Sequence, residues 1–205
     1  MTRSNEIQNG RIDRRTFGFA IGTGAGGWIF HPTLALAEPV EEKVKPVEKK
    51  PALIRGAFTY PPTSSLDEAG YYSWPGSSFD AEGRQEKYLQ EFRQIEKKLG
   101  VRIEMEAAPL DGAESVSRFI ASVKSNPPDG LLLIPFKKSH FDNVVRIIEE
   151  TKIPSIVFAS LGVILNVHIQ RYHKQSGVHL INSLDNLDAV AQGLNAIRAA
   201  AWMKQ

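Results

Sequence analysis

Cysteine is absent from this 205-residue chain. That excludes disulfides, thiolate metal sites, thiol nucleophiles and a cysteine-linked lipid anchor. An excess of one charge is also missing from the body of the chain. Four of the 25 basic and two of the 23 acidic residues fall in residues 1–37, leaving 21 of each. A neutral body lacks the dense positive charge that nucleic acid rewards, and no basic face argues for an anionic membrane. Long hydrophobic runs are missing too. The longest mildly apolar stretch, Phe17–Phe30, is broken by Gly22, Gly24, Gly26 and Gly27. It falls short of the roughly 20 residues that cross a bilayer.

Several catalytic signatures are also lacking. The chain has no G-x-x-x-x-G-K-[ST] phosphate loop, no dinucleotide fingerprint after its first strand and no G-x-S-x-G elbow. His168, His173 and His179 stand near one another, but no H-x-x-x-H or carboxylate-bearing motif accompanies them. The expectation is a non-catalytic protein without cofactor or metal.

What is present begins at the N-terminus. Arg14-Arg15-Thr16-Phe17 leads into the apolar run, and Ala35-Leu36-Ala37 closes it in a small-x-small pattern. This order resembles a twin-arginine (Tat) export signal, with Arg14, Arg15 and Phe17 as its recognition residues and Ala35 and Ala37 at the cleavage site. Asp13 stands where that family often has Ser or Thr. The resemblance implies a Tat translocase as partner and a periplasmic or otherwise extracytoplasmic location. Residues 38–51, EPVEEKVKPVEKKP, form a Pro/Glu/Lys-rich linker.

From residue 52 onward, short apolar runs alternate with helical periods. Leu53–Phe58 reads as the first strand. Tyr88, Phe92, Ile95 and Leu99 mark a helix closed by Gly100. Val101, Ile103 and Met105 alternate with Arg102 and Glu104, as an outer strand does. Val116, Phe119, Ile120 and Val123 stripe a second helix that ends at Asn126-Pro127-Pro128. Leu131–Ile134 is a continuous apolar strand of the kind covered on both faces. Ser139 reads as the N-cap of a third helix that buries Phe141, Val144, Val145 and Ile148. Ile153–Phe158 and Val178–Ile181 read as the fourth and fifth strands. A last helix from about Leu187 to Met203 carries Val190, Leu194, Ile197 and Ala201 on one face. Residues 160–176 are ambiguous, and within them 162–175 fit a strand extension, a hairpin or a short helix. The alternation predicts an α/β doubly wound sheet of five parallel strands in the order 2-1-3-4-5.

Ligands of such sheets sit outside the carboxyl ends of the strands. Residues 59–83, 135–139, 159–163 and 182–186 reach that end. The first segment carries Tyr60, Tyr71, Tyr72, Trp74 and Phe79 among hydroxyls. Aromatic rings cover the apolar face of a sugar while polar groups bond its hydroxyls. The same rings would equally serve as the loop's own small core. The candidate ligand-binding residues are Tyr60, Trp74, Lys137, Ser160, Asp185 and Asn186. Lys137 precedes a helix start, Ser160 follows the fourth strand, and Asp185 is an acceptor for two neighbouring hydroxyls or a cap for the last helix.

DGLLLIP, KIPSIVFAS and HLINSLDNLDAVAQGL resemble, in order, segments of type I periplasmic binding proteins. The third resembles that family's D-N-x-x-A-G-x-x-A segment, with Asp185 and Asn186 in the D-N positions and Gly193 out of strict register. The resemblance spans residues 53–205 and implies a single sugar-binding lobe with its second lobe absent. It implies as partners a polar small molecule, a sugar above all, and a second lobe or a membrane transporter or sensor serving ABC-type uptake. The family's acidic residue after the fourth strand has no counterpart at Ala159-Ser160-Leu161. Sugar isomerases of the fucose/arabinose group carry an N-terminal domain of similar plan. A fragment of such an enzyme, or a truncated remnant, is the alternative expectation.

Overall fold

Residues 130–135 are buried without exception, and their side chains divide between two cores. Leu132 and Ile134 enter one hydrophobic cluster, Leu131 and Leu133 the other. A strand covered on both faces needs apolar side chains at every position, which explains the unbroken run. The computed structural model describes residues 49–62, 64–65, 79–159 and 166–205. The export signal with Arg14, Arg15, Phe17, Ala35 and Ala37 lies outside the described residues, as do Trp74, Ser160 and most of the linker. No helix among the described residues is long and apolar enough to cross a membrane.

Five parallel strands form one sheet: β1 (Leu53–Thr59), β2 (Arg102–Met105), β3 (Gly130–Pro135), β4 (Ser155–Ala159) and β5 (Val178–Asn182). Their order is β2-β1-β3-β4-β5, as the alternation of strands and helices predicts. All four strand pairings are parallel. Two helices, α1 (Ala81–Leu99) and α5 (Asp188–Met203), cover one face and contribute to the cluster that holds Leu132. On the other face, α2 (Ala113–Ser125), α3 (Phe141–Thr151) and α4 (Asn166–His173) pack against Leu131 and Leu133.

The helix boundaries follow local chemistry. Asp80 caps α1, accepting from the Gly83 N–H at 2.8 Å. The helix therefore starts at Ala81, inside the segment expected to be loop. Gly100 closes it at φ 63°, a left-handed conformation that glycine adopts freely, and bonds the Glu96 carbonyl at 2.9 Å. Ser139 does not cap α3. It lies in a 3-10 turn, Lys138–His140, and His140 takes the cap position. Within residues 160–176, the short helix α4 is the form adopted at Asn166–His173. Gly193 lies where α5 meets the sheet: a Cβ there would stand 2.9 Å from Ile156 Cδ1. Its glycine lets helix and sheet approach closely.

Candidate functional site

The carboxyl ends of the strands gather the loops expected to hold ligand, and Asp185 is the focus of what is described there. It stands three residues past β5, at φ 55°. Asparagine and aspartate tolerate this left-handed region better than other side chains do. Its carboxylate accepts from the Arg84 guanidinium and from the Tyr88 hydroxyl. Arg84 and Tyr88 lie one turn apart on α1, so both reach the same point. The Arg84 and Asp185 side chains are 27% and 24% exposed, which leaves the pair only partly screened by water.

Tyr88 is also an anchor for the aromatic core. Its ring meets Phe136 edge-on at 5.8 Å and Phe158 at 5.6 Å. Phe136 in turn carries Tyr60, stacked at 5.6 Å, and Phe79, edge-on at 5.4 Å. Thus Tyr60 and Phe79 serve as packing for the segment that follows β1. The Tyr60 hydroxyl donates to Gln85 Oε1 at 2.9 Å. Burial first, then Glu82 and Asp80, push the Tyr60 phenol up to about 12. It stays a neutral donor at physiological pH.

Beside Asp185 lies a crevice of about 270 Å³ between α1 and the loop that enters α5. Lys87, Glu91, Asp185, Asn186 and Asp188 line it, with Tyr88 at its base. Asn186 Oδ1 accepts from the Asp188 N–H at 3.1 Å. Asn186, rather than Asp185, therefore meets the first turn of α5. The structure brings Asp185 and Asn186 together in one crevice. Tyr60 and half-buried Lys137 lie apart from it, at the ends of β1 and β3. Arg84 was not among the expected site residues, and Tyr88 was expected only as core. Their i, i+4 spacing is the signal that points to a shared partner.

Two histidines lie near the carboxyl end, around α3. His140 is buried, donates to the Leu110 carbonyl and has Nδ1 3.4 Å from Asn143 Nδ2. His168 stacks on Phe141 with ring centroids 4.4 Å apart. Burial lowers the His140 pKa, aided by Lys137 and opposed by the Leu110 bond and Asp111. Burial also lowers that of His168, aided by Arg171 and Lys138 and opposed by Asp142. Both rings thus prefer to be neutral in the folded state. The unfolded chain takes up these protons as pH falls through about 6.5. Stability from this source is complete above that pH and is lost progressively below it, down to the folded pKa values. The melting temperature should therefore fall between pH 7.5 and 5.5, and His140→Gln should flatten that slope. An unchanged slope in His140→Gln would remove His140 from the account. Among the described residues, no three His, Asp or Glu side chains converge as a metal site would require.

No family model matches the chain, and no curated protein matches it. Among solved structures, the chain is similar to a protein of unknown function from Vibrio parahaemolyticus RIMD 2210633. The two share 10% identity over 67% of this chain and 96% of that one, with a TM-score of 0.30.

Proposed function

We propose that residues 52–205 form an exported, non-catalytic solute-binding lobe for a sugar or similar polar small molecule, carried out of the cytoplasm by the Tat route. Such a lobe serves ABC-type uptake or sensing. The observation that carries this reading is the setting of Asp185. The carboxylate stands three residues past β5, at the carboxyl-end pole of a 2-1-3-4-5 sheet where such folds bind ligands, and is oriented by Arg84 and Tyr88. It borders a polar crevice of about 270 Å³. An oriented carboxylate accepts from adjacent hydroxyls without first having to be ordered, which lowers the entropic cost of binding.

The test is the thermal unfolding of the 205-residue chain against a panel of neutral sugars and sugar acids. A ligand that binds only the folded state stabilises it by about 2.7 kcal/mol at a hundredfold excess over Kd. A saturable rise in Tm with one sugar class is expected, and Trp74→Ala and Asp185→Ala should each diminish it. A cooperative melt that no member of the panel moves would sink the reading.

A further inference from the structure

Three carboxylates line the crevice beside α1, and they differ in what compensates their charge. Asp185 is engaged, since Arg84 and Tyr88 both donate to it. Asp188 is exposed and stands in the first turn of α5, where the helix dipole favours a negative charge. Glu91 has neither kind of support. It lies more than two turns from either end of α1, beyond the reach of the helix dipole. Its side chain is half-buried, and among the described residues it makes no hydrogen bond or ion pair.

The nearest cation along the helix does not neutralise it. Lys87 stands one turn before Glu91, and lysine ahead of glutamate is the weaker order for an i, i+4 pair. Lys87 is exposed, and among the described residues no ion pair joins the two. Arg84, Tyr88 and Glu91 follow one another at i, i+4 and i+7 on one face of α1. The stripe that orients Asp185 therefore also sets an uncompensated carboxylate in the same crevice. A partly desolvated charge without a partner favours a ligand that brings the opposite charge.

We infer that Glu91 selects the charge of the solute, and that the crevice takes a polyol carrying a protonated amine, of the amino-sugar type, ahead of a neutral sugar or a sugar acid. The inference rests on the solute-binding reading of this crevice. The ammonium N–H donates to Glu91 in a charge-assisted bond, while hydroxyls donate to the remaining lone pairs of Asp185. A sugar acid would instead set its carboxylate against Glu91 and Asp188, with exposed Lys87 to receive it. An ion pair with a solvated lysine contributes little. The volume of about 270 Å³ lies at the lower end of small-molecule pockets and suits a single sugar ring rather than an oligosaccharide.

Calorimetric titration of the 205-residue chain tests this with matched probes: a hexosamine, its parent neutral hexose and the corresponding hexuronic acid, in the gluco, galacto and manno series. The pH is set at about 6.5, where an amine of the α-amino kind is protonated. In one series the hexosamine should bind about tenfold more tightly than the neutral hexose, and the hexuronic acid more weakly than either. That advantage should shrink as salt is raised. Glu91→Gln keeps the shape of the side chain and removes its charge. It should abolish the amine's advantage and leave neutral-hexose affinity within about twofold. Three results overturn the inference while the solute-binding reading stands: a neutral hexose bound as tightly as its hexosamine, a preference for the hexuronic acid, or an amine advantage that survives Glu91→Gln. Failure of every probe to bind overturns the inference together with the reading it rests on.

Discussion

Replacing Phe136 by alanine should cost about 3–5 kcal/mol of folding stability, the range for large aromatic truncations in a packed core. Phe136 is fully buried. Its ring lies 5.3 Å from Phe58, 5.6 Å from Tyr60, 5.4 Å from Phe79 and 5.8 Å from Tyr88. Truncation removes the transfer free energy of the ring and leaves a cavity that four aromatic neighbours cannot readily collapse into. A domain of this size is stable by only about 5–15 kcal/mol, so roughly a fifth or more of the total is at stake. Urea unfolding should show a lower midpoint with an unchanged m-value. Phe119→Ala, on the opposite face of the sheet and 3% exposed, should cost a similar amount. The two differ in reach. Phe136 links β3 to Tyr60, which follows β1, and to Tyr88, which holds Asp185. Its loss should therefore weaken ligand-induced stabilisation beyond what Phe119→Ala does. A cost below about 1.5 kcal/mol for Phe136→Ala would show that the aromatic cluster repacks around the gap.

The sheet is the part most legible in the sequence. Leu131–Ile134 and Ile156–Phe158 are apolar at every position because they are covered on both faces. The outer strand β2 alternates because its two faces differ: Ile103 and Met105 pack inward while Arg102 and Glu104 pair outside. The strand order 2-1-3-4-5 is the one expected of a doubly wound alternation of strands and helices. The helical stripes Tyr88–Phe92–Ile95 and Val190–Leu194–Ile197 are buried as their spacing requires. Helix starts were less legible. Asp80 and Ser139 are both good caps by residue type, yet only Asp80 caps. After Ser139 the chain still completes a 3-10 turn that buries His140, and this tertiary demand overrides local preference.

The candidate site was legible in part. Asp185 stands out in the sequence because it follows the last strand, a position set by topology. Its partners do not, because Arg84 and Tyr88 are 101 and 97 residues away in sequence and meet it only through packing. Tyr60 illustrates the converse. An aromatic residue at the end of a strand fits a sugar platform by type, but burial against Phe136 gives its ring to the core. Residue type carries chemistry, whereas exposure and partners are decided by the rest of the fold.

The sharpest probe of the site is a graded series at Asp185. Asp185→Ala should cost about 2–4 kcal/mol, from two sources. Hydrogen bonds to a charged group contribute about 1.5–3 kcal/mol, and their loss leaves the Arg84 guanidinium and the Tyr88 hydroxyl without this acceptor. Alanine must also adopt the left-handed backbone at φ 55°, at a further cost of about 1 kcal/mol. Asp185→Gly removes the bonds but relieves the backbone, so it should be less destabilising than alanine by about that amount. Asp185→Asn keeps an acceptor oxygen and tolerates the left-handed region, and should be the mildest of the three. The expected order of stability is therefore Asn, then Gly, then Ala. Ligand binding should follow a different order. On the proposed reading, in which the Asp185 carboxylate accepts from two sugar hydroxyls, no variant keeps that carboxylate, so each should bind at least about tenfold more weakly. Paired urea unfolding and ligand titration separate the two roles. Asparagine that retains full affinity would confine Asp185 to holding α1 against the β5–α5 loop, and glycine no more stable than alanine would remove backbone strain from the account.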